Sequence, residues 1–204
     1  MQSNTIPNFV WSEVTGANDC SGNMYKAVKL NANGAAKIAA ATDVVVGIQQ
    51  SNPTGVNQMV TLESEGIAAV YAGAAVTKGS KVSILADGTV GNYSQSITLG
   101  GTYAENDIVT ATIDGVVYTF TALATPTPTS VAAGLAAVID AGVLSATSAL
   151  GVITVTSATQ TFNITGVTES GASSTIAVSS LPTTVGIALA TGVAGDLLSI
   201  KLTL

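Results

Sequence analysis

Val28-Lys29-Leu30-Asn31-Ala32-Asn33-Gly34 returns further along the chain as Val82-Ser83-Ile84-Leu85-Ala86-Asp87-Gly88. Each copy is an alternating apolar run closed by Ala, then Asn or Asp, then Gly. Alternation with a period of two marks a strand with one buried face, and Asn-Gly or Asp-Gly tolerates the positive φ of a tight hairpin. The first copy runs on into Val46-Gly47-Ile48, Thr54-Gly55-Val56 and Met59-Val60-Thr61-Leu62. The second meets its counterparts only near the C-terminus, as Val185-Gly186-Ile187, Thr191-Gly192-Val193 and Leu197-Leu198-Ser199-Ile200. Two similar β units therefore form one module, and the second is split by an insert. The expected division is an N-terminal arm and entry segment over residues 1–24, a discontinuous β module over 25–96 plus 183–204, and an inserted domain over 97–182.

The module reads as mainly β, a small barrel or tulip-like arrangement of short strands. Ile67-Ala68-Ala69-Val70-Tyr71 and Lys81-Val82-Ser83-Ile84 extend the strand pattern, and Gly47, Gly55, Gly66, Gly73 and Gly79 punctuate it at short intervals. The insert has a different grammar. Asp114-Gly115 predicts a hairpin leading into Val116-Val117-Tyr118-Thr119-Phe120-Thr121, rich in β-branched and aromatic residues. Thr125-Pro126-Thr127-Pro128 reads as a stiff extended link. A helix follows, capped by Thr129, with Val131, Leu135, Val138 and Ile139 as its apolar stripe and Gly142 as its end. Runs at Val152 to Thr156, Thr161 to Ile164 and Thr175 to Val178 suggest strands, so the insert is expected to be a β-β-α-β-β domain.

Composition narrows the function. Only 9% of the 204 residues are charged, against about 25% in ordinary globular domains, so the surface must be largely Ser, Thr, Asn, Gln, Gly and Ala. Such a surface suits packing against other protein. The six basic residues are all Lys, with no Arg and no His, and the net charge is −6; nucleic-acid binding, which relies on basic patches and on Arg above all, is not expected. Within the insert, Glu105, Asp107, Asp114, Asp140 and Glu169 stand without a basic residue. The single Cys20 reads as a buried thiol rather than half of a disulfide. Residues 1–6 show neither the basic start nor the apolar run of a signal peptide. The uncharged stretch from Glu169 to Asp196 is broken by Ser pairs, Pro182 and several Gly, which argues for strands and turns and against a membrane helix.

Catalytic patterns are missing. Without His, neither the Ser-His-Asp nor the Cys-His arrangement can form, and no lysine has a Ser three residues before it. No nucleophile elbow, Walker loop or dinucleotide-binding turn is present. Glu63 and Glu65 alternate along a strand run and would share a side, as a glycosidase pair might, but two acids on a solvated strand face are the plainer expectation. Glu105-Asn106-Asp107 lies in a turn yet lacks the spaced oxygen ligands of an EF-hand loop, so a surface turn is expected there. The chain is not expected to be an enzyme or to need a metal or cofactor.

The module resembles the head-decoration, or capsid cement, proteins of tailed bacteriophages. The likeness rests on Gly47-Ile48, then Met59-Val60-Thr61-Leu62-Glu63-Ser64-Glu65-Gly66-Ile67, then Ala72-Gly73-Ala74-Ala75-Val76-Thr77-Lys78-Gly79-Ser80-Lys81-Val82, Ala86-Asp87-Gly88, Gly186-Ile187-Ala188 and Gly195-Asp196-Leu197-Leu198-Ser199-Ile200. The resemblance implies a tulip-like fold, commonly a homotrimer, that sits on the outer surface of the capsid in the virion and clamps neighbouring capsomers of the major capsid protein. Such a protein would be made in the host cytoplasm, with no nucleic-acid or membrane partner. The insert departs from the pattern and is expected to project outward, where it would be placed for host-surface contact. Ile6, Pro7, Phe9 and Trp11 are the expected capsid or oligomer contacts, since aromatic anchors dominate interfaces. A tail-tube, tail-fibre or receptor-binding component is the alternative.

Overall fold

The computed structural model describes residues 9–142, 144–157, 161–171 and 173–204. In chain order the elements begin with β1 (Val10–Val14), β2 (Ala27–Asn31), β3 (Gly34–Lys37), β4 (Gly47–Gln49), β5 (Met59–Glu63), β6 (Ile67–Tyr71), β7 (Lys81–Ile84) and β8 (Val90–Asn92). There follow β9 (Ser94–Thr102), β10 (Ile108–Ile113), β11 (Val116–Thr121), α1 (Pro128–Asp140), β12 (Ser145–Ala149), β13 (Val152–Thr156), β14 (Ile164–Glu169) and β15 (Ser173–Val178). The chain closes with β16 (Thr184–Ala188) and β17 (Leu197–Leu202). It is mainly β and divides into two compact units, Met1–Tyr93 with Pro182–Leu204, and Ser94–Leu181. No helix among the described residues is long and apolar enough to cross a membrane.

In the first unit the repeated sequence becomes repeated topology. One five-stranded sheet runs β1-β5-β4-β2-β3 and the other β6-β17-β16-β7-β8, so each repeat contributes the same order and every pairing is antiparallel. Register repeats as well. Val28 faces Gly47 and Ala27 faces Ile48 in the first sheet, as Val82 faces Gly186 and Lys81 faces Ile187 in the second. Val10 to Val14 run against Glu63 to Met59 just as Ile67 to Tyr71 run against Lys201 to Leu197. The first strand of repeat one thus lies within what the sequence suggested was an arm.

Both sheets curl. In the second, an isolated parallel bridge joins Ala72 to Val90 and brings the end of β6 against β8. In the first, a Cβ on Gly34, which has φ of 105°, would stand 2.0 Å from the Val14 carbonyl oxygen, so β3 and the end of β1 meet at a contact only glycine permits. Neither ladder closes fully, so the expected barrel is instead a pair of curled, open sheets. Inside the first curl lie Cys20, Val28, Ala35, Val60 and Leu62, with Trp11 and Val46 against them. The second encloses Val70, Val82, Ile84, Val90, Leu198 and Ile200, and the same cluster takes in Ala27 and Ile48 from the opposite face of the first sheet. Because successive strand residues point to opposite sides, β4 is buried on both faces, which accounts for its fully buried Gly47-Ile48-Gln49.

The second unit holds a three-stranded sheet, β11-β10-β14, and a four-stranded one, β12-β13-β9-β15, with α1 against β9, β11, β12 and β13. Its order is therefore β-β-β-α-β-β-β-β, not the expected β-β-α-β-β; β9, β12 and β14 join the count, and the Thr161 to Ile164 run reaches only the first residue of β14. Asp114 and Gly115 both have positive φ and make a two-residue loop between the paired Ile113 and Val116. At the other two hairpins only the glycine has positive φ. The same dipeptide signal thus serves two turn geometries.

Candidate interaction surface

Of the expected contact residues, Ile6 and Pro7 lie outside the described residues. Phe9 and Trp11 fall at and within β1, an edge strand paired with β5 on one side. The Phe9 carbonyl accepts the Ser64 N–H at 3.1 Å, which ties the strand entry to the β5–β6 turn. The two aromatics differ in burial, Phe9 standing just ahead of the strand and Trp11 within it. Trp11 sits opposite Leu62 and packs against the Cys20 and Val60 cluster. Phe9 is 57% exposed, and Val10, Val14 and Met59 are exposed with it. Val14 faces Met59 across the ladder and Val10 lies on the same side, with the polar Ser12–Thr61 pair between them.

Glu63 and Glu65 do not form a strand-face pair. Glu63 ends β5 at 6% exposure, between Val10 and Ile48, while Glu65 lies past the strand end and is exposed. The solvated-face expectation therefore holds for Glu65 and not for Glu63. Cys20 is buried and donates from Sγ to the Ala35 carbonyl at 3.4 Å; burial pushes its thiol up, Lys37 opposing. The Glu105-Asn106-Asp107 turn links β9 to β10, with Asn106 at φ of 70° and the Asp107 carboxylate accepting the Ala104 N–H at 2.7 Å. No group of three or more His, Cys, Asp or Glu side chains converges among the described residues.

No family model matches the chain, and no curated protein matches it. A solved chain from Mycobacterium phage Patience is similar over 100% of this chain and 94% of that one, at 15% identity and a TM-score of 0.30. A likeness this slight carries no argument about fold or role.

Proposed function

We propose that this protein is a structural component of a bacteriophage virion that binds the outer surface of the capsid, as a homotrimer, and cements neighbouring subunits of the major capsid protein. The observation that carries the reading is the duplicated β module, whose residues resemble the decoration family along both repeats and whose first edge leaves Phe9 ahead of β1, Val10 and Val14 on β1 and Met59 on β5 exposed to solvent. An edge strand offers unpaired N–H and C=O groups to a partner backbone, and the exposed apolar side chains beside it supply surface to bury. Low charge suits such contacts, because few ions must be desolvated when they form. The acidic second unit is the outward part, free for contact with a host surface.

The test is electron microscopy of the purified protein mixed with expanded heads that lack it. Ordered density on the shell is expected. Self-polymerisation or cell binding without head binding would replace this reading with a tail or receptor-binding role. Phe9→Ala should weaken decoration by about tenfold while leaving thermal unfolding unchanged, in keeping with an aromatic anchor at an interface. Trp11→Ala is expected to act differently, costing about 2 kcal/mol of stability because it opens the side of a core cluster. Head binding by Phe9→Ala at wild-type affinity would remove β1 as the contact.

A further inference from the structure

Two carboxylates and a phenol meet at one end of the second unit. β10 pairs with β14 so that Val109 faces Glu169, which sets the end of β14 beside the start of β10 and the turn that carries Asp107. A Cβ on Gly171 would stand 2.6 Å from Asp107 Oδ2 and 3.0 Å from Glu169 Oε2, so the two acids converge on one piece of backbone. Tyr103, only 4% exposed, lines the same concavity with Asp107, Ser170 and Gly171.

The polar atoms here are not all answered. Asp107 Oδ2 accepts the Ala104 N–H at 2.7 Å, and Ser170 Oγ accepts the Ile108 N–H at 2.8 Å. Tyr103 Oη and Glu169 Oε2 are shielded from solvent and have no hydrogen-bond partner. Buried polar atoms are rarely left so, and two orphans beside a second carboxylate point to a missing group. Burial pushes the Tyr103 phenol up, and the charges of Glu169 and then Asp107 push it the same way, so it stays un-ionised at neutral pH. Residues 94–181 contain no Lys, and the chain has no Arg or His, so this unit has no side-chain cation to answer the two acids.

We propose that Asp107 and Glu169 bind a hard divalent cation of the calcium class, with Tyr103 as a positioning residue for the carboxylates. Calcium accepts irregular sets of carboxylate, carbonyl and water oxygens, whereas magnesium demands a near-octahedral shell. Two carboxylates leave much of the coordination to water, which sets the affinity at roughly 0.1–1 mM. A water bridging Tyr103 to Glu169 would satisfy the orphan atoms but not the charge, and it predicts no response to metal.

The experiment uses the full chain, stripped with a chelator, in two assays. At about 10 mM calcium chloride the wild-type unfolding midpoint should rise by roughly 3–6 °C, and magnesium should do less. Terbium, a calcium mimic, should show tyrosine-excited emission that Tyr103→Phe reduces, while the calcium shift in that variant persists in weakened form. Glu169→Gln and Asp107→Asn should each abolish the calcium shift; two separate variants guard against either one failing to fold. An unchanged wild-type midpoint in calcium would overturn the site. So would a calcium shift of equal size in both carboxylate variants, since the ion would then bind elsewhere.

Discussion

Gln49 has no exposed surface, yet its amide is satisfied: Nε2 donates to the carbonyls of Cys20 at 3.1 Å and Ser51 at 2.7 Å, and Oε1 accepts from Asn23 Nδ2 at 3.3 Å. A glutamine fully inside a β module is tolerable only on such terms. It fastens the loop carrying Cys20 over the first sheet. Asp43 performs a similar service in the segment between β3 and β4. Its Oδ2 accepts the N–H groups of Ala39 at 2.8 Å and Ala40 at 3.0 Å and the Lys29 ammonium at 2.9 Å. The Ala39 N–H first, then Lys29, hold the carboxyl below its ordinary value, burial opposing. A depressed folded-state value means that the ionised carboxylate stabilises the fold above the unfolded-state pKa of about 3.9, and that this contribution disappears as pH falls through the lower, folded value. Asp43→Ala should therefore lower the urea midpoint at about pH 7, and the gap from wild type should narrow as pH falls below about 3.9. A gap between the two proteins that stayed constant over that range would place the stabilisation elsewhere. Neither residue was legible as structural from the sequence, because each acts through backbone groups that only the fold brings near.

The single helix illustrates how an element can be predicted while its start is misread. Its apolar spacing is plain in the sequence, but the helix begins at Pro128, with Thr127 as the cap, not at Thr129. Thr127 Oγ1 accepts the Ser130 N–H at 3.1 Å, and Ser130 Oγ accepts the Thr127 N–H at 2.9 Å, a reciprocal box in which Ser stands where Glu or Gln is usual. Proline at the first helical position loses nothing, since its missing N–H would have no partner there, so the Pro-bearing link was in fact a start signal. Thr127→Ala should cost about 1 kcal/mol, read as an earlier thermal transition, with Thr127→Ser close to wild type. Val138 is exposed, and Ala132 and Ala136 complete the buried stripe beside Val131, Leu135 and Ile139. Small residues there let the helix approach closely: a Cβ on Gly134 would stand 2.1 Å from the Phe120 ring. The strands missed in the second unit were weakly encoded. β12 is Ser-Ala-Thr-Ser-Ala, without a large apolar residue, and the inward positions of β9 include Gln95, whose Oε1 accepts the Ile164 N–H at 3.0 Å. The hairpin glycines and the long β-branched runs were legible because their signals are local. The meeting of Tyr103, Asp107 and Glu169 was not, because it depends on pairing between strands distant in sequence.

At the scale of the whole chain, the duplication explains where the second unit is inserted. In each repeat the third and fourth strands, β3 and β4 or β8 and β16, lie on opposite sides of the second strand and are both antiparallel to it. They are therefore parallel to one another, and a connection between them must cross over rather than turn back. In the first repeat residues 38–46 make that crossing, pinned by Asp43 and contributing Ile38 and Val45 to the core. In the second repeat the equivalent crossing is residues 93–183, and the whole of Ser94–Leu181 lies within it. Unit one's ladders need only that the crossing be made, because every strand of both sheets comes from outside Ser94–Leu181. Replacing residues 94–181 with a flexible six-residue connection, which with Tyr93, Pro182 and Thr183 matches the nine residues used between β3 and β4, should therefore leave a cooperatively folding module. Closing the shorter loop costs no more entropy than the native crossing does, so the unfolding midpoint should stay close to that of the corresponding transition in the full chain. Circular dichroism should show β structure without the helical contribution of α1. If the shortened chain is unfolded or aggregates, the second unit is part of the folding core of the first and the split repeat is not self-sufficient. If it folds and still decorates heads, the capsid contacts reside in the duplicated module, and the acidic unit is free to serve another role.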